Sequence, residues 1–295
     1  MSILAPLFLS LFLPGQPTGE IIAFTNARIH TVEGPVIDIG TLVVRGGKIV
    51  AVGDAKVPAD ARVVDCAGKV IIPGLVDSHS HLGIYSRPGV SANSDGNEGS
   101  GPIQPALRAM DAVTPDDPGI RMALAGGLTT VNIMPGSGNA IGGQTVYVKL
   151  RGRTIEEMRV TGETVLGGLK MANGENPKNF NFTSRKAAPA TRMKTYALQR
   201  EQFLKAREYQ AKWTAYQKKK IEDPKAVAPE RDLAMEPLVE VLERKRTVHF
   251  HCHRAQHPAH RSYQQPFPGG CRGAIDCHLH GRVGGAAVRC PGRPV

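Results

Sequence analysis

The chain has 295 residues, and 37 Lys and Arg against 26 Asp and Glu give a net charge of +11. With Gly counted and Tyr left out, the apolar share is about half, the ordinary globular value; this excludes a mainly disordered or a collagen-like chain. No apolar run reaches the roughly 18 residues that a spanning helix needs, which excludes a polytopic membrane protein, and the length suggests about two domains.

The charge is unevenly placed. Residues 185–231 hold 13 Lys and Arg against five Asp and Glu, and residues 254–295 hold six Arg, no Lys and the single acid Asp276. The rest of the chain is close to neutral. A basic balance raises the question of nucleic acid, but no recognition motif accompanies it, so no nucleic-acid partner is expected. A basic binding protein acting through helix 191–222 would instead show salt-sensitive binding to polyanions.

Taken from the start, Ile3–Leu13 is almost wholly apolar and Pro14-Gly-Gln-Pro-Thr-Gly19 breaks the run. This resembles a secretory signal over residues 1–19, although no Lys or Arg precedes Arg28 and no Ala-x-Ala site follows. The expectation is a secreted or periplasmic protein, and otherwise a cytoplasmic one. Five Cys, an odd number with three in the tail, read poorly as a disulfide framework.

Residues 20–72 predict a small β domain. Strands are expected at 21–24, 40–44, 48–52 and 62–65, separated by the turn signals Asn26, Glu33-Gly-Pro35, Gly46-Gly47, Gly53-Asp54 and Ala67-Gly68. From Val70 an apolar run enters a strand that ends in His79 and His81. A helix is expected at 118–125, stopped by Gly126-Gly127, then strands at 128–134, 144–150 and 164–172. This alternation predicts a parallel α/β fold. Residues 191–222 predict one amphipathic helix, with Ala206, Tyr209, Trp213 and Tyr216 packed on the body. A further helix over 233–244 and a buried strand over 247–253 follow.

His79 and His81, two apart on a strand, point to one face, so both imidazoles can reach one ion. His249, His251 and His253 likewise share a face, with Phe250 and Cys252 on the other. One or two of those three would serve as supporting or solvent-facing groups rather than ligands.

Chained together, several motifs resemble the amidohydrolase superfamily, imidazolonepropionase-related branch. They are Asn26-Ala-Arg-Ile-His30, Gly46-Gly-Lys-Ile-Val-Ala-Val-Gly53, Asp65-Cys-Ala-Gly-Lys69, Pro73-Gly-Leu-Val-Asp-Ser-His79-Ser-His81, Gly126-Gly-Leu-Thr-Thr-Val131, Lys170-Met-Ala-Asn-Gly-Glu-Asn-Pro-Lys178 and His249-Phe-His-Cys-His-Arg254. The resemblance implies a (β/α)8 TIM-type barrel, partial over 73–255 and incomplete at the C-terminus, with a helical insertion at 185–231, beside a small N-terminal β-sandwich-like domain. It implies a divalent metal, most readily zinc, as one or two ions. His79 and His81 match the first-strand ligands. His251 matches the fifth-strand ligand, with His253 as fallback or supporting group. Lys170, carboxylated in many members, or Glu175 matches the bridging ligand, Lys170 being preferred. The implied reaction is hydrolysis of a small-molecule C–N bond by metal-activated hydroxide. A carboxylate would shuttle the proton. Oligomeric state and substrate identity are left open.

The sixth-strand His and eighth-strand Asp of the family have no place here. Each βαβ unit needs about 30 residues, so the three missing units need roughly 90, and only 40 residues follow Ala255. The tail 256–295 has no helical period, no Lys and no Glu. It reads as a change of reading frame near residue 255, or else as a short native end with Cys271, Cys277, His278 and His280 as a makeshift metal site. The competing expectation is therefore a truncated, non-catalytic remnant of such an enzyme.

Overall fold

In the computed structural model, residues 19–162 and 165–253 are described, together with the backbone of 276–279. The apolar stretch before residue 19 lies outside the described residues, as do Cys271, His280 and the side chains of Cys277 and His278. The chain divides into two compact units, Met1–Gly74 and Leu75–Val295.

The first unit holds five strands: β1 (Ile21–Ile29), β2 (Ile37–Arg45), β3 (Lys48–Gly53), β4 (Arg62–Asp65) and β5 (Val70–Ile71). They form one sheet of order β3-β2-β1-β4, with β5 also on β1. β1, β2 and β3 pair antiparallel, whereas β4 and β5 run parallel to β1. The β2–β3 hairpin turns on Gly46 and Gly47, at φ of 54° and 76°. Two-residue hairpins need positive φ at both central positions, which glycine supplies without strain. Ile21, Ala23 and Val43 form one buried cluster, and Ala27, Ile29 and Cys66 another. The expected sandwich is thus a single mixed sheet. The expected continuous strand from Val70 to the histidines is broken. Pro73 has no N–H for a ladder, so the run splits into β5 and a separate strand in the second unit.

The second unit contains β6 (Leu75–Ser80), α1 (Pro118–Ala125), β7 (Leu128–Ile133), β8 (Ile141–Gln144), β9 (Val146–Lys149), α2 (Ile155–Met158) and β10 (Gly168–Ala172). It continues with α3 (Glu175–Lys178), α4 (Arg192–Glu222), α5 (Glu236–Leu242), β11 (Thr247–Cys252) and β12 (Asp276–Leu279). Two sheets result, of orders β6-β7-β9 and β12-β11-β10-β8. β6–β7, β10–β11 and β11–β12 are parallel, while β7–β9 and β10–β8 are antiparallel. The fold is mixed α/β, and the described strands do not make one continuous barrel wall. The single strand expected at 144–150 is divided at Thr145, and its halves join different sheets. Thr145 is buried at this corner, where its N–H donates to Gly168 O (2.8 Å) and its Oγ1 accepts from Gly168 N–H (2.6 Å). Residues 276–279 of the tail pair beside β11. Asp276-Cys-His-Leu279 contains no Gly or Pro, so its backbone can complete a ladder.

Two apolar clusters pack the second unit. Ile133, Val146, Val148 and Met158 belong to one; Ile141, Leu169, Met171, Leu238 and Phe250 belong to the other. α4 contributes to the second through Phe203 and Ala206, at the end of its N-terminal half. There Gln199 is fully buried, and its Nε2 donates to Ala140 O (2.8 Å) and Ala172 O (3.1 Å). The aromatic stripe farther along is only half-buried, with Tyr209 and Trp213 edge to face at 6.2 Å. The helix expected at 233–244 is shortened to α5, which has a proline in its first turn.

The loop after β6 is tied to α1 by one carboxylate. Asp117 caps α1 by accepting from Gly119 N–H (2.9 Å), and also accepts from Gly83 N–H (3.0 Å) and Arg87 N–H (3.3 Å). It is buried. Hydrogen bonds to a charged acceptor are worth about 1.5–3 kcal/mol and a cap about 1 kcal/mol. Asp117→Ala is therefore expected to lower unfolding stability by about 2–4 kcal/mol in urea titration, and Asp117→Asn by less. The opposite sign is expected just past β10. Asn173 is 0% exposed, and neither atom of its carboxamide has a partner among the described residues. An unpaired buried polar group costs about 1–3 kcal/mol, so Asn173→Leu is expected to raise the urea midpoint without changing the m-value.

Candidate metal centre

β6, β7, β10 and β11 run so that their C-terminal ends carry the polar residues. His79 lies in β6 and His81 just beyond it, with their rings edge to face at 5.2 Å. His81 Nδ1 lies 2.7 Å from the carbonyl of Met134, the residue after β7. A carbonyl only accepts, so Nδ1 carries the proton and Nε2 keeps its lone pair for a ligand role. The His79 N–H donates to Asp77 Oδ1 at 3.0 Å, which holds the backbone at the strand end.

Every residue of β10 is buried. Lys170 is 1% exposed, the largest of the fully buried side chains. Its Nζ lies 3.1 Å from His79 Nε2 and 3.4 Å from Met134 Sδ. Glu175 instead begins α3 and is exposed. The two candidates for the bridging position are thus separated by burial: the lysine reaches His79, and the glutamate stands at an exposed helix start.

On β11, His249 and His251 are both buried. His251 Nε2 is 3.2 Å from Asn176 Nδ2 and 3.4 Å from His253 Nε2, and the two imidazole rings are 4.7 Å apart. Asn176 Nδ2 also donates to Ser137 Oγ at 2.6 Å. His249 lies opposite Lys170 in the parallel register and meets Asn132 Nδ2 at 3.1 Å. Gly168 makes room for its ring, with which a Cβ would collide. Among the described residues, no group of three or more His, Cys, Asp or Glu is placed to hold an ion. A centre at this position therefore depends on Lys170 as well as on the histidines.

Several neighbours escaped the sequence reading: Asn132, Ser137, Asn176, and the pair Tyr85 and Asn97. Tyr85 stands edge-on to His81 at 5.8 Å, and partial burial raises its phenol above the ordinary tyrosine range. Asn132 had a legible signal, an amide inside the otherwise apolar end of Leu128-Thr-Thr-Val-Asn-Ile133. The others sit on loops and a short helix, where pattern is silent.

The chain has relatives of known name. It is 36% identical over 167 residues to the amidohydrolase tasK of Hapsidospora irregularis, a span of 52% of this chain and 17% of that protein. It is 31% identical over 177 residues to an imidazolonepropionase of Brucella anthropi, covering 52% of this chain and 44% of the relative. A dihydroorotase of a Wolbachia strain is 31% identical over 156 residues, covering 52% of this chain and 30% of that one. The chain thus spans less than half the length of these relatives. No protein-family model matches it. The crystal structure of an amidohydrolase from Thermotoga maritima superposes with a TM-score of 0.72 at 40% identity, over 79% of this chain and 58% of that one. In sequence and in fold, the shared span is thus similar to proteins named amidohydrolase, imidazolonepropionase and dihydroorotase.

Proposed function

We propose that the chain carries part of a metal-dependent hydrolase that cleaves a C–N bond in a small molecule, an amide, a cyclic amide or an imidazolone-like ring. One observation carries this reading: the amine of Lys170, fully buried on β10, lies 3.1 Å from the His79 imidazole on β6. Reaction of the neutral amine with CO2 forms an N–C bond, releases a proton and turns Lys170 into an anionic carbamate, which suits a divalent cation.

The donor set fits such an ion, most readily zinc, since imidazole nitrogens and a carboxylate-like oxygen are its usual partners. His79, His81, Lys170 and His251 would hold it, with His253 beside His251. When bound, a divalent ion polarises a carbonyl and acidifies water. The chain's own residues do the rest. The Met134 carbonyl fixes the His81 tautomer, Asn176 and Ser137 orient His251, and the fully buried Met134 side chain packs its Sδ 3.4 Å from the Lys170 amine. No residue of this sequence matches the sixth-strand His or the eighth-strand Asp that the resemblance implies. The rival reading, a non-catalytic remnant, rests on that.

The test is metal content and turnover. Protein loaded with zinc and dialysed is expected to retain close to one or two ions per chain. His79→Ala and Lys170→Ala are expected to lose at least one, while Glu175→Gln keeps the wild-type content. Hydrolysis is assayed on N-acetyl amino acids, dipeptides, cyclic amides and an imidazolone. Retained zinc without turnover supports the remnant; absence of both removes the hydrolase reading.

A further inference from the structure

We infer that Tyr85, held by Asn97, is a substrate-contacting residue of this site, donating its hydroxyl proton to the carbonyl oxygen of the bond that is cleaved. The inference rests on the hydrolase reading above and adds to it a neutral hydrogen-bond donor supplied by the loop after β6.

The side chain is placed by several independent features. The loop that carries it is closed by a bridge between Tyr85 and Ser94 and by Asp95 N–H donating to Ile84 O at 3.1 Å. Two glycines make space for the phenol. A Cβ at Gly96 would strike the Tyr85 ring, and one at Gly136 would come within 2.6 Å of its Oη. The ring stands edge-on to His81, and 38% of the residue remains exposed, so a ligand at the histidines can touch it.

The hydrogen bonding sets the direction. Asn97 Nδ2 donates to Tyr85 Oη at 2.6 Å, while Asn97 Oδ1 accepts from Gly138 N–H at 2.6 Å. The Gly138 bond fixes which end of the amide faces the phenol. Tyr85 Oη is therefore an acceptor toward Asn97, and its own O–H is taken by no described residue. A hydroxyl has one proton to give, and here that proton is kept for a ligand. In hydrolysis, the water oxygen bonds to the carbonyl carbon and the C=O π pair moves onto the oxygen. The C–N bond then breaks as that pair returns, and the nitrogen leaves with the proton that water gave up. A fixed donor beside the oxygen is worth most at the stage when it carries charge.

Two variants test this on the best substrate of the panel above. Tyr85→Phe keeps the ring and removes the donor; kcat is expected to fall about 100-fold with KM nearly unchanged, the range found for loss of one such donor. Asn97→Asp keeps the acceptor for Gly138 but presents a carboxylate to the phenol, which diverts the hydroxyl proton. It is expected to reproduce the loss although Tyr85 is intact, and the double variant is expected to be no worse than either. Zinc content should match wild type in all three. A Tyr85→Phe enzyme with wild-type kcat overturns the assignment and leaves the hydrolase reading standing, as does an Asn97→Asp enzyme with full activity. Loss of zinc or of thermal stability in Tyr85→Phe also overturns it, because the side chain would then be structural. A wild type inert on the whole panel removes both.

Discussion

The second unit depends on three polar side-chain bridges between two sheets that share no backbone ladder. Lys170 of β10 reaches His79 of β6, Asn132 of β7 reaches His249 of β11, and Asn176 after β10 reaches Ser137 after β7. The apolar clusters lie elsewhere, one belonging largely to each sheet. Each bridging group is fully or partly buried, and a buried donor or acceptor left unpaired costs about 1–3 kcal/mol. The sheets must therefore approach in a register that satisfies all three pairs at once. Apolar packing is non-directional, so these directional contacts are what fix how the two sheets face each other.

The same logic explains the corners. Thr145 ends one sheet and opens the other, and its hydroxyl and amide both engage the start of β10. Asp117 is a helix cap and also a tie for the loop leaving His81. Each residue satisfies backbone groups that the change of direction would otherwise leave orphaned.

Much of this was legible in the chain. Strand β4 and helix α1 fall where turn signals and periodicity put them, and α4 begins one residue later. The pairing of His79 with His81 on one face follows from the two-residue period of a strand. Elsewhere the pattern misled. The run Val70–Ser80 reads as one strand, yet Pro73 divides it between two units. Residues 144–150 read as one strand, because nothing in an alternating pattern announces a single-residue corner. Asn176 and Asn97 lie on segments without periodicity, and only spatial proximity reveals what they hold.

By itself the sequence determined the residue types available for a metal, the strand and helix segments that carry them, and the family they resemble. These follow from local rules: side-chain period, turn chemistry, and motifs a few residues long. Only the tertiary structure shows how differently Lys170 and Glu175 are buried. They are five residues apart, and the resemblance prefers Lys170 but also admits Glu175. Burial separates them: one sits inside a strand that is covered throughout, the other at an exposed helix start. It also turned Tyr85 from a loop residue into a neighbour of His81. Contacts between residues far apart in sequence are set by sheet packing, and no local pattern records them.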